Sequence, residues 1–502
     1  MVSQALLLLL GTATTLASEL SFPPPTTLAS NGYANWGAGT WPPASVGVPL
    51  VPQTADSEIL SLISQIDPAR MEHTIRTLVN FGTRHTASTT TSLTRGIGAA
   101  RKWLLKEMQE YAKPANGMIK VSMPCYFQPA EPENGLPIGV DICNVQAEIK
   151  GTVDPNRTIV YTGHYDSRRI NGSDYENDAP GADDNASAVS IALEMVRILG
   201  LSVAKNQPAA SIIISAVAGE EQGLYGSTFL ANTLKNASVN VEADFNNDIV
   251  GTGSNAPFNK LNQHTIRIFS GGTDILDLPE ATIDEIITTG YQDDTPSRNL
   301  ARFIQEVNAG AAHTTEMEVA ILYKTDRFDR GGDHEPFLEV GFPAVRFTES
   351  NENFFHQHQD PREENGVVFG DNIEFVDFDY TARVGKVNML GMLSMANAPD
   401  LPKNFTYVPL YGFLASDEQA PVASLDNVVM FNWNTEPKDP LLDHFEIVWR
   451  SMSSQQWTHT LDVGTVSTAT LDISRDNAVF GLRAVGKDGK KSPAVLALPD
   501  SF

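Results

Sequence analysis

Three short apolar runs, in which polar residues do not alternate with apolar ones, stand out in the middle of the chain. They are RTIVYTG at 157–163, ASIIISAVAG at 210–219 and PAVRFTE at 343–349. Such runs are typical of strands that are buried on both faces of a largely parallel sheet. Between the first two, NASAVSIALEMVRIL at 185–199 predicts a helix that begins at a polar capping residue. This alternation of strand and helix predicts an α/β fold.

The segments that precede these strands differ in character. Residues 19–54 are rich in Pro, Gly, Ser and Thr and show neither helical nor strand periodicity, so they are interpreted as a linker or pro-segment. From Glu58 the pattern becomes helical, and residues 92–112 carry apolar side chains at spacings of three and four, as in an amphipathic helix. We therefore expect the α/β domain to occupy residues 55–398.

The C-terminal part of the chain has a different pattern. Periodicity is lost over 399–417, which is interpreted as a second linker. Short strand-like runs follow, with VVMFNW, HFEIVWR, TATLDI and AVFGLRAV at the spacing of a β-sandwich. These runs predict a small all-β domain over 418–502, which resembles a fibronectin type III module. Its expected role is to bind another protein or a surface.

Charge excludes one class of function. The 502 residues contain 35 Lys and Arg against 61 Asp and Glu, a formal net charge of −26. Such a chain repels a phosphate backbone and has no basic surface for nucleic acid. We therefore expect no nucleic-acid partner.

The N-terminus predicts export. Residues 1–18 combine an apolar stretch with small residues placed as at a signal-peptide cleavage site, and no later apolar run is long enough to span a bilayer. We therefore expect a secreted, extracellular protein without a membrane partner. Cys125 and Cys143 then form one disulfide, since an oxidising compartment pairs cysteines. Credible glycosylation sequons lie at Asn156, Asn171, Asn236 and Asn404.

Several polar segments follow the predicted strands. His164 and Asp166 end the first strand, two residues apart in extended chain, so that both side chains project to one side. Alone, each segment has an ordinary structural explanation, such as a polar strand end, a helix cap or a solvated acidic pair. Together they gather at the edge of the sheet where α/β proteins bind ligands. The remaining candidates are Asp183, Asp184 and Asn185, then Glu220 and Glu221, Asp248, and finally His356 and His358.

Six of these segments carry a family resemblance. GHYDSR, PGADDNAS, GEEQGLYGS, NNDIVG, GGDHEPF and FFHQHQD occur in the order and spacing of the secreted dinuclear zinc aminopeptidases related to bacterial leucyl aminopeptidase. Glutamate carboxypeptidase and glutaminyl cyclase belong to the same family. The likeness covers roughly residues 55–397. It implies a zinc exopeptidase-like fold, in which a mixed, mostly parallel sheet carries helices on both faces.

The resemblance also implies a role for each matching residue. Two Zn²⁺ ions are expected, with His164 and Asp248 at one site, Glu221 and His356 at the other, and Asp184 as the bridge. His358 is the weaker ligand candidate because His356 holds the family position. Glu220 is implied as the general base, and the peptide bond between Asp184 and Asn185 as cis. Supporting positions are Asp166, which would orient His164, and Asp333 and His334.

The implied reaction is hydrolysis of N-terminal peptide bonds, with peptides as substrates. Glutaminyl cyclase activity is an alternative, although Phe355 stands where the cyclases place Trp. Carboxypeptidase activity is another, because guanidinium groups near the site suit a substrate carboxylate; these are Arg168, Arg169, Arg327 and Arg330. A non-catalytic adhesion protein is the third, but a protein without catalysis has no reason to retain the complete set of ligands and base.

A glycan map of the secreted protein tests this assignment. Asn185 reads as a sequon in NAS, yet a sugar beside the bridging Asp184 would block the metals. Mass spectrometry of tryptic glycopeptides should therefore find Asn185 unmodified, with glycans confined to the other four sequons. A glycan on Asn185 would exclude the predicted metal site.

Overall fold

The computed structural model describes residues 46–255, 260–273, 278–407, 429–435 and 438–499. The predicted signal peptide, residues 19–45 of the predicted N-terminal linker and residues 408–428 lie outside the described residues. The described helices are α1 (Ser57–Ile63), α2 (Pro68–Val79), α3 (Gly96–Ala112), α4 (Ala186–Ser202), α5 (Tyr225–Asn236), α6 (Glu280–Thr288), α7 (Pro296–Gly310), α8 (Ala312–Thr315), α9 (Glu335–Glu339) and α10 (Phe378–Ala396).

The strands are given in chain order. The strands up to residue 369 are β1 (Val48–Pro49), β2 (Ile119–Ser122), β3 (Cys125–Gln128), β4 (Val140–Cys143), β5 (Val145–Ile149), β6 (Asp154–His164), β7 (Ala210–Val217), β8 (Asn240–Asn247), β9 (Ser254–Asn255), β10 (Lys260–Leu261), β11 (Thr265–Ser270), β12 (Glu318–Leu322), β13 (Ala344–Glu349), β14 (Arg362–Glu364) and β15 (Val367–Phe369). Those that follow are β16 (Lys403–Tyr407), β17 (Val429–Asn434), β18 (Leu442–Ser451), β19 (His459–Gly464), β20 (Thr468–Leu471), β21 (Ala478–Gly486), β22 (Val495–Leu496) and β23 (Leu498–Pro499). β1 joins a sheet of the C-terminal module, whereas β2 to β15 belong to the α/β domain.

An eight-stranded sheet forms the centre of the α/β domain. Its order is β12-β11-β13-β8-β6-β7-β5-β2. The four central strands, from β13 to β7, pair in parallel, whereas β11 pairs with β13 and β5 pairs with β7 antiparallel. The predicted mixed, mostly parallel sheet is therefore confirmed for its centre. The carboxyl ends of β13, β8, β6 and β7 meet at one edge.

Both faces of this sheet are covered, as the runs without polar alternation predict. Side chains alternate between the two faces of a strand. Along β6, Ile159 and Tyr161 belong to the larger core, which includes α2, α3, α4 and α10. Val160, between them, packs into a second core with Leu230 and Leu234 of α5. Each central strand is thus apolar on both sides because each side meets helices.

The C-terminal module is built from two sheets whose strands pair antiparallel, except that β23 pairs with β16 in parallel. One has the order β1-β19-β18-β21-β22 and the other β20-β17-β16-β23. Their shared core contains aromatic side chains that include Phe431, Trp433, Trp449 and Phe480. The all-β character of the module agrees with the sequence, while its likeness to a fibronectin type III module stays a prediction.

Two predicted linkers contribute strands to this module, which corrects their boundaries. Residues 403–407 were assigned to the linker 399–417, but they form β16 and pair with β17. Val48 and Pro49 fall in the predicted N-terminal linker, yet they pair with β19 at the edge of the five-stranded sheet. Trp449 fixes this segment further, since its indole Nε1 donates to the carbonyl of Val46 at 2.9 Å. Periodicity could not identify a strand of two residues.

The described residues include the predicted disulfide and the predicted glycosylation sites. Cys125 and Cys143 face one another across the β3–β4 hairpin and are joined by a disulfide. The sequon asparagines Asn156, Asn171, Asn236 and Asn404 are exposed. Among the described residues, none of the helices is long and apolar enough to span a membrane. Glycosylation and secretion stay predictions.

Buried charges join the α/β domain to the C-terminal module. Asp294 precedes α7 and is fully buried. One of its oxygens accepts from Arg302 of α7 at 2.8 Å, and the other accepts from Arg450 of β18 at 2.7 Å. Arg302 also donates to the carbonyl of Gln455 in the module. A single carboxylate therefore compensates two buried guanidinium groups, one from each domain.

Replacing this carboxylate should destabilise the whole protein. Asp294→Asn leaves both guanidinium groups without a counter-charge, and breaking a buried ion pair by removing one partner costs about 3–5 kcal/mol. Guanidinium denaturation followed by tryptophan fluorescence should show this loss. Glu72→Gln is the matched control, because the Arg76–Glu72 pair is exposed and such pairs contribute at most about 1 kcal/mol. Equal losses in the two variants would contradict the role of Asp294.

Candidate metal centre

The polar residues singled out in the sequence meet where the central parallel strands end. His164 is the last residue of β6, and Asp248 directly follows β8. Glu220 and Glu221 follow β7 by three and four residues, and Asp184 lies just before α4. Because these strands run in parallel, their carboxyl ends share one edge of the sheet. Residues separated by up to 84 positions in the sequence are thereby brought into one cluster.

Two groups of possible metal ligands share one carboxylate. The first contains His164, Asp184 and Asp248, and the second contains Asp184, Glu221 and His358. His164 Nε2 lies 3.2 Å from Asp184 Oδ1 and 3.5 Å from Asp248 Oδ1. His358 Nε2 lies 3.0 Å from both Asp184 Oδ2 and Glu221 Oε2. Asp184 thus presents one oxygen to each group, which is the geometry of a bridging ligand.

Several atoms of this cluster are unsatisfied, which suits cations. Among the described residues, His164 Nε2, Asp248 Oδ1 and Glu221 Oε1 are buried without a hydrogen-bond partner. Leaving buried charged or polar groups unpaired is costly, and binding a metal satisfies them. Imidazole nitrogens with carboxylate oxygens are a donor set that zinc accepts. The residues present therefore fit two zinc ions.

The pKa values of the two histidines also indicate a site that attracts cations. Burial lowers the pKa of His164, but the charges of Glu220, Asp166 and Asp184 outweigh it and raise this pKa well above its ordinary value. Burial lowers the pKa of His358 too, and there Glu221 and Asp184 raise it to about 10. Both imidazoles thus lie in a strongly negative field. Such a field attracts a divalent cation as it attracts a proton.

The structure corrects the assignment of His356. The ring of His356 stacks on Phe375, with centroids 3.6 Å apart, and its Nε2 faces the side-chain amide of Asn353 at 3.3 Å. His358, in a left-handed backbone conformation with φ of 53°, points to Asp184 and Glu221 instead. The turn that begins at Asn353 decides which imidazole faces inward. In the sequence, only the second histidine of HQHQD hinted at this alternative.

Asp166 connects the first histidine to the loop that carries the two glutamates. Its Oδ1 lies 3.5 Å from His164 Nδ1 and accepts from the backbone N–H of Gly219 at 2.9 Å. It also accepts from the N–H groups of Glu220 and Glu221. The predicted orienting role therefore has a structural basis, and Asp166 additionally fixes the loop after β7.

Glu220 and Glu221 diverge, as expected for neighbours at a strand end. Glu221 Oε2 faces His358, whereas Glu220 belongs to neither ligand group. The Glu220 side chain remains 13% exposed, and its Oε2 lies 3.9 Å from His164 Nε2. Burial and the charges of Asp248 and Glu221 raise its pKa well above the ordinary value, although His164 opposes them. Glu220 is thus a carboxyl group beside the ligand cluster that remains available to exchange a proton.

The backbone around Asp184 is held by Asn185 and by Asp371, of which the sequence did not reveal Asp371. The peptide bond between Asp184 and Asn185 is cis, as the resemblance implies. Asp371 accepts from the N–H groups of Asp183 and Asp184 at 2.8 and 2.7 Å. The Asn185 side chain donates to the carbonyl of Asn247 next to Asp248. Asp371 has no local pattern that could have identified it, because it lies 187 residues from Asp184.

Asp333 and His334 are buried near the cluster but belong to neither of its two ligand groups. The charge of Asp333 contributes to the raised pKa of Glu220, while His334 Nε2 contacts the carbonyl of Thr325 at 3.0 Å. A third acidic group consists of Asp326, His334 and Glu335. Two guanidinium groups, those of Arg346 and Arg327, pair with Asp326, and we assign no metal to this third group. The supporting roles of Asp333 and His334 stay predictions.

Comparison with known proteins identifies the family. The model of "Peptidase family M28" matches residues 144–365. A "probable zinc metalloprotease" of Pyrenophora teres f. teres is 47% identical over 494 residues, which cover 98% of each chain. One of Pyricularia oryzae is 43% identical over 97% of this chain and 94% of its own. The chain belongs to peptidase family M28.

Solved structures give weaker matches to this M28 peptidase. The Legionella pneumophila LapA aminopeptidase is 17% identical, with a TM-score of 0.47, and the match covers 69% of this chain and 76% of that one. Porphyromonas gingivalis glutaminyl cyclase is also 17% identical, with a TM-score of 0.42 over 65% of this chain and 97% of the other.

The two histidines of HQHQD give a direct test of the ligand set. His358→Ala removes an imidazole from the second group, so the purified protein should contain about one divalent metal ion per chain fewer than the wild type. His356→Ala, the matched control two positions away, should have the metal content of the wild type because His356 faces Phe375. Inductively coupled plasma mass spectrometry after identical dialysis gives the metal content. The opposite result would restore the assignment made from the sequence.

Proposed function

We propose that this M28 peptidase is a secreted zinc aminopeptidase that hydrolyses N-terminal peptide bonds at a two-zinc centre. The observation that carries the proposal is the shared Asp184, with one oxygen in each ligand group and Glu220 beside them outside both groups. His164 and Asp248 would hold one zinc, Glu221 and His358 the other, and Asp184 both. Support also comes from relatives that are 47% and 43% identical and are named probable zinc metalloproteases.

Zinc, when bound, supplies a Lewis acid that lowers the pKa of water and stabilises developing negative charge on an oxygen. The chain supplies the proton transfers. Glu220 would accept a proton from the attacking water at a carboxylate oxygen and deliver it to the leaving amine nitrogen. Burial and the charges of Asp248 and Glu221 raise the pKa of Glu220 above its ordinary value, which makes this carboxylate a stronger proton acceptor than a free one. Asp166 would hold Glu220 and His164 in place through its backbone and imidazole contacts.

The partners of the arginines favour an aminopeptidase over a carboxypeptidase. Arg169 pairs with Asp360 at 3.0 Å and with Asp174 at 3.3 Å. Arg327 pairs with Asp326 and Glu352. Arg168 Nε lies 3.9 Å from Glu221 Oε2, and Arg330 lines a cavity beside Asp326 and Glu335. Two of the four arginines are thus occupied by acidic partners, which leaves them unsuited to a substrate carboxylate.

Glutaminyl cyclase is the second candidate within the family, because it would use much of the same ligand set. A site with two groups of ligands favours the peptidase, since the cyclases use one zinc. We further propose that the C-terminal module binds another protein or a surface. Export remains part of the proposal and is supported by the signal-like N-terminus, the disulfide and the exposed sequons.

The two adjacent glutamates separate base from ligand. Glu220→Gln should keep both zinc ions and lose about 10²–10⁴-fold in turnover, because an amide cannot accept the proton. Glu221→Gln should instead bind zinc more weakly, since it removes a charged ligand. Asp184→Asn should lose both zinc and turnover, because a neutral amide bridges two cations poorly. Zinc content and kcat are measured on all three variants after identical dialysis.

A substrate panel completes this test. The wild-type protein should release N-terminal residues from free peptides and should not cleave their N-acetylated counterparts. Release from the carboxyl end, or cyclisation of N-terminal glutamine without peptide hydrolysis, would replace the proposed activity by one of the alternatives. Loss of zinc from Glu220→Gln with two ions retained in Glu221→Gln would reverse the two roles.

A further inference from the structure

Arg346 is a buried cation in direct contact with a proposed zinc ligand. It lies in β13 and is fully buried. β13 pairs in parallel with β8, where Asn246 is its partner in register, so Arg346 lies beside the end of the strand that leads to Asp248. Arg346 Nη2 lies 2.8 Å from Asp248 Oδ2. The sequence pattern of PAVRFTE indicated no role for this residue.

The same guanidinium is held from its other side. Arg346 Nη1 donates to Asp326 Oδ2 at 2.7 Å and to the carbonyl of Gly331. Gly332 stands so close that a Cβ there would lie 2.7 Å from Arg346 Nη1. The absence of a side chain at position 332 therefore leaves the space that Arg346 occupies. The planar guanidinium bridges two carboxylates, which a Lys ammonium group could not do with the same geometry.

Asp326 is itself part of a longer series of ion pairs. Its Oδ1 lies 3.1 Å from Arg327 Nε, and Arg327 Nη1 lies 2.6 Å from Glu352. Glu352 then contacts Arg267 of β11 at 2.5 Å. Positive and negative groups alternate from Arg267 to Asp248, with three of each. This arrangement compensates the buried charges and fixes Arg346 in position.

The contact between Arg346 and Asp248 distinguishes the first ligand group from the second. Because Oδ2 of Asp248 faces Arg346, the other oxygen, Oδ1, faces His164 and has no hydrogen-bond partner. In the second group, the nearest guanidinium nitrogen to Glu221 among the described residues is Arg168 Nε, at 3.9 Å from the oxygen that already faces His358. Within this part of the chain, only the first group therefore has a close, buried guanidinium behind its carboxylate.

We propose that Arg346 is a positioning residue that holds Asp248 so that it presents a single oxygen to the first metal site. The inference rests on the proposed two-zinc function and deepens it. Partners that orient metal ligands typically change metal affinity by about 10–100-fold when they are replaced. The first site consequently depends on Arg346, and the second does not.

Stepwise metal binding measures this dependence directly. Zn²⁺ is titrated into the metal-free full-length protein against a competing chelator, and Asp248→Asn identifies the step that belongs to the first site. Arg346→Met should weaken that step by about 10–100-fold and leave the other within about threefold. The double variant Arg346→Met with Asp248→Asn should bind no more weakly than Asp248→Asn alone, since both changes act on one ligand.

The conservative variant separates positioning from charge. Arg346→Lys keeps the positive charge but cannot bridge Asp248 and Asp326, so its first step should be as weak as that of Arg346→Met. Rescue by lysine, or equal weakening of both steps, would overturn the proposal. Cobalt substitution adds a spectroscopic readout, because the visible absorption of Co²⁺ at the first site should change in Arg346→Lys while that of the second site is preserved.

Two further variants keep the test decisive if Arg346→Met does not fold. Asp326→Asn releases the far side of the guanidinium, and Gly332→Ala displaces it by adding a Cβ. Both should weaken the same step, and unchanged affinity in both would overturn the proposal. Arg157→Met is the matched control, because Arg157 is equally buried, pairs with Glu242 at 2.9 Å and lies about 23 Å of strand before His164. It should lose stability and keep both binding steps.

Failure of the underlying function looks different from failure of this inference. If the wild-type protein binds fewer than two zinc ions in the same titration, the two-zinc function fails before any variant is compared. If the wild type binds two ions and Arg346→Met binds them equally well, the function stands and the role of Arg346 is refuted.

Discussion

The burial of negative charge is the constraint on which the rest of this structure depends. Four carboxylates, from Asp184, Glu220, Glu221 and Asp248, lie with two imidazoles at the ends of the parallel strands. Carboxylates so close together repel one another and cannot all remain ionised in a buried site without cations. The site therefore requires positive charge, which two divalent metals would supply. The negative charges of the cluster also raise the pKa values of His164, His358 and Glu220.

The residues around the cluster compensate its charge and hold its backbone and carboxylates through hydrogen bonds and one ion pair. Asp371 receives two backbone N–H groups at the bridging residue, and Asp166 receives three from the loop after β7. Arg346 supplies a full positive charge to Asp248. These contacts hold each ligand before a metal arrives, so that little reorganisation accompanies binding. Asp371, Asp166 and Arg346 are consequently part of the candidate site together with the ligand residues.

The C-terminal module takes part in the stability of the whole chain rather than in the metal cluster. None of its described residues belongs to the two ligand groups. It is nevertheless joined to the α/β domain through buried guanidinium groups that share Asp294, and through the N-terminal residues that extend one of its sheets. The ion pairs with Asp294 are buried, so breaking them by removing one partner is costly.

The sequence alone predicted the features that local patterns encode. Apolar runs such as ASIIISAVAG identified the central strands because a strand covered on both faces needs no polar alternation. The motifs singled out His164, Asp184, Glu220, Glu221 and Asp248, whose roles the family resemblance implies, and the structure brings these five residues together. Distinct patterns likewise separated the α/β part from the all-β part. In each case the information lies within about ten neighbouring residues.

The tertiary structure decided what depends on contacts between distant segments. It selected His358 over His356, because the direction of each imidazole is set by the turn after β13 and by packing on Phe375, not by spacing. It revealed the contacts of Asp371 with Asp184 and of Arg346 with Asp248, which join residues 187 and 98 positions apart and leave no local signal. It also placed Val48 and residues 403–407 in the module, because such short strands are stabilised only by the sheets that they join. Spacing thus determined which residue types form the centre, whereas long-range packing determined which atoms face it.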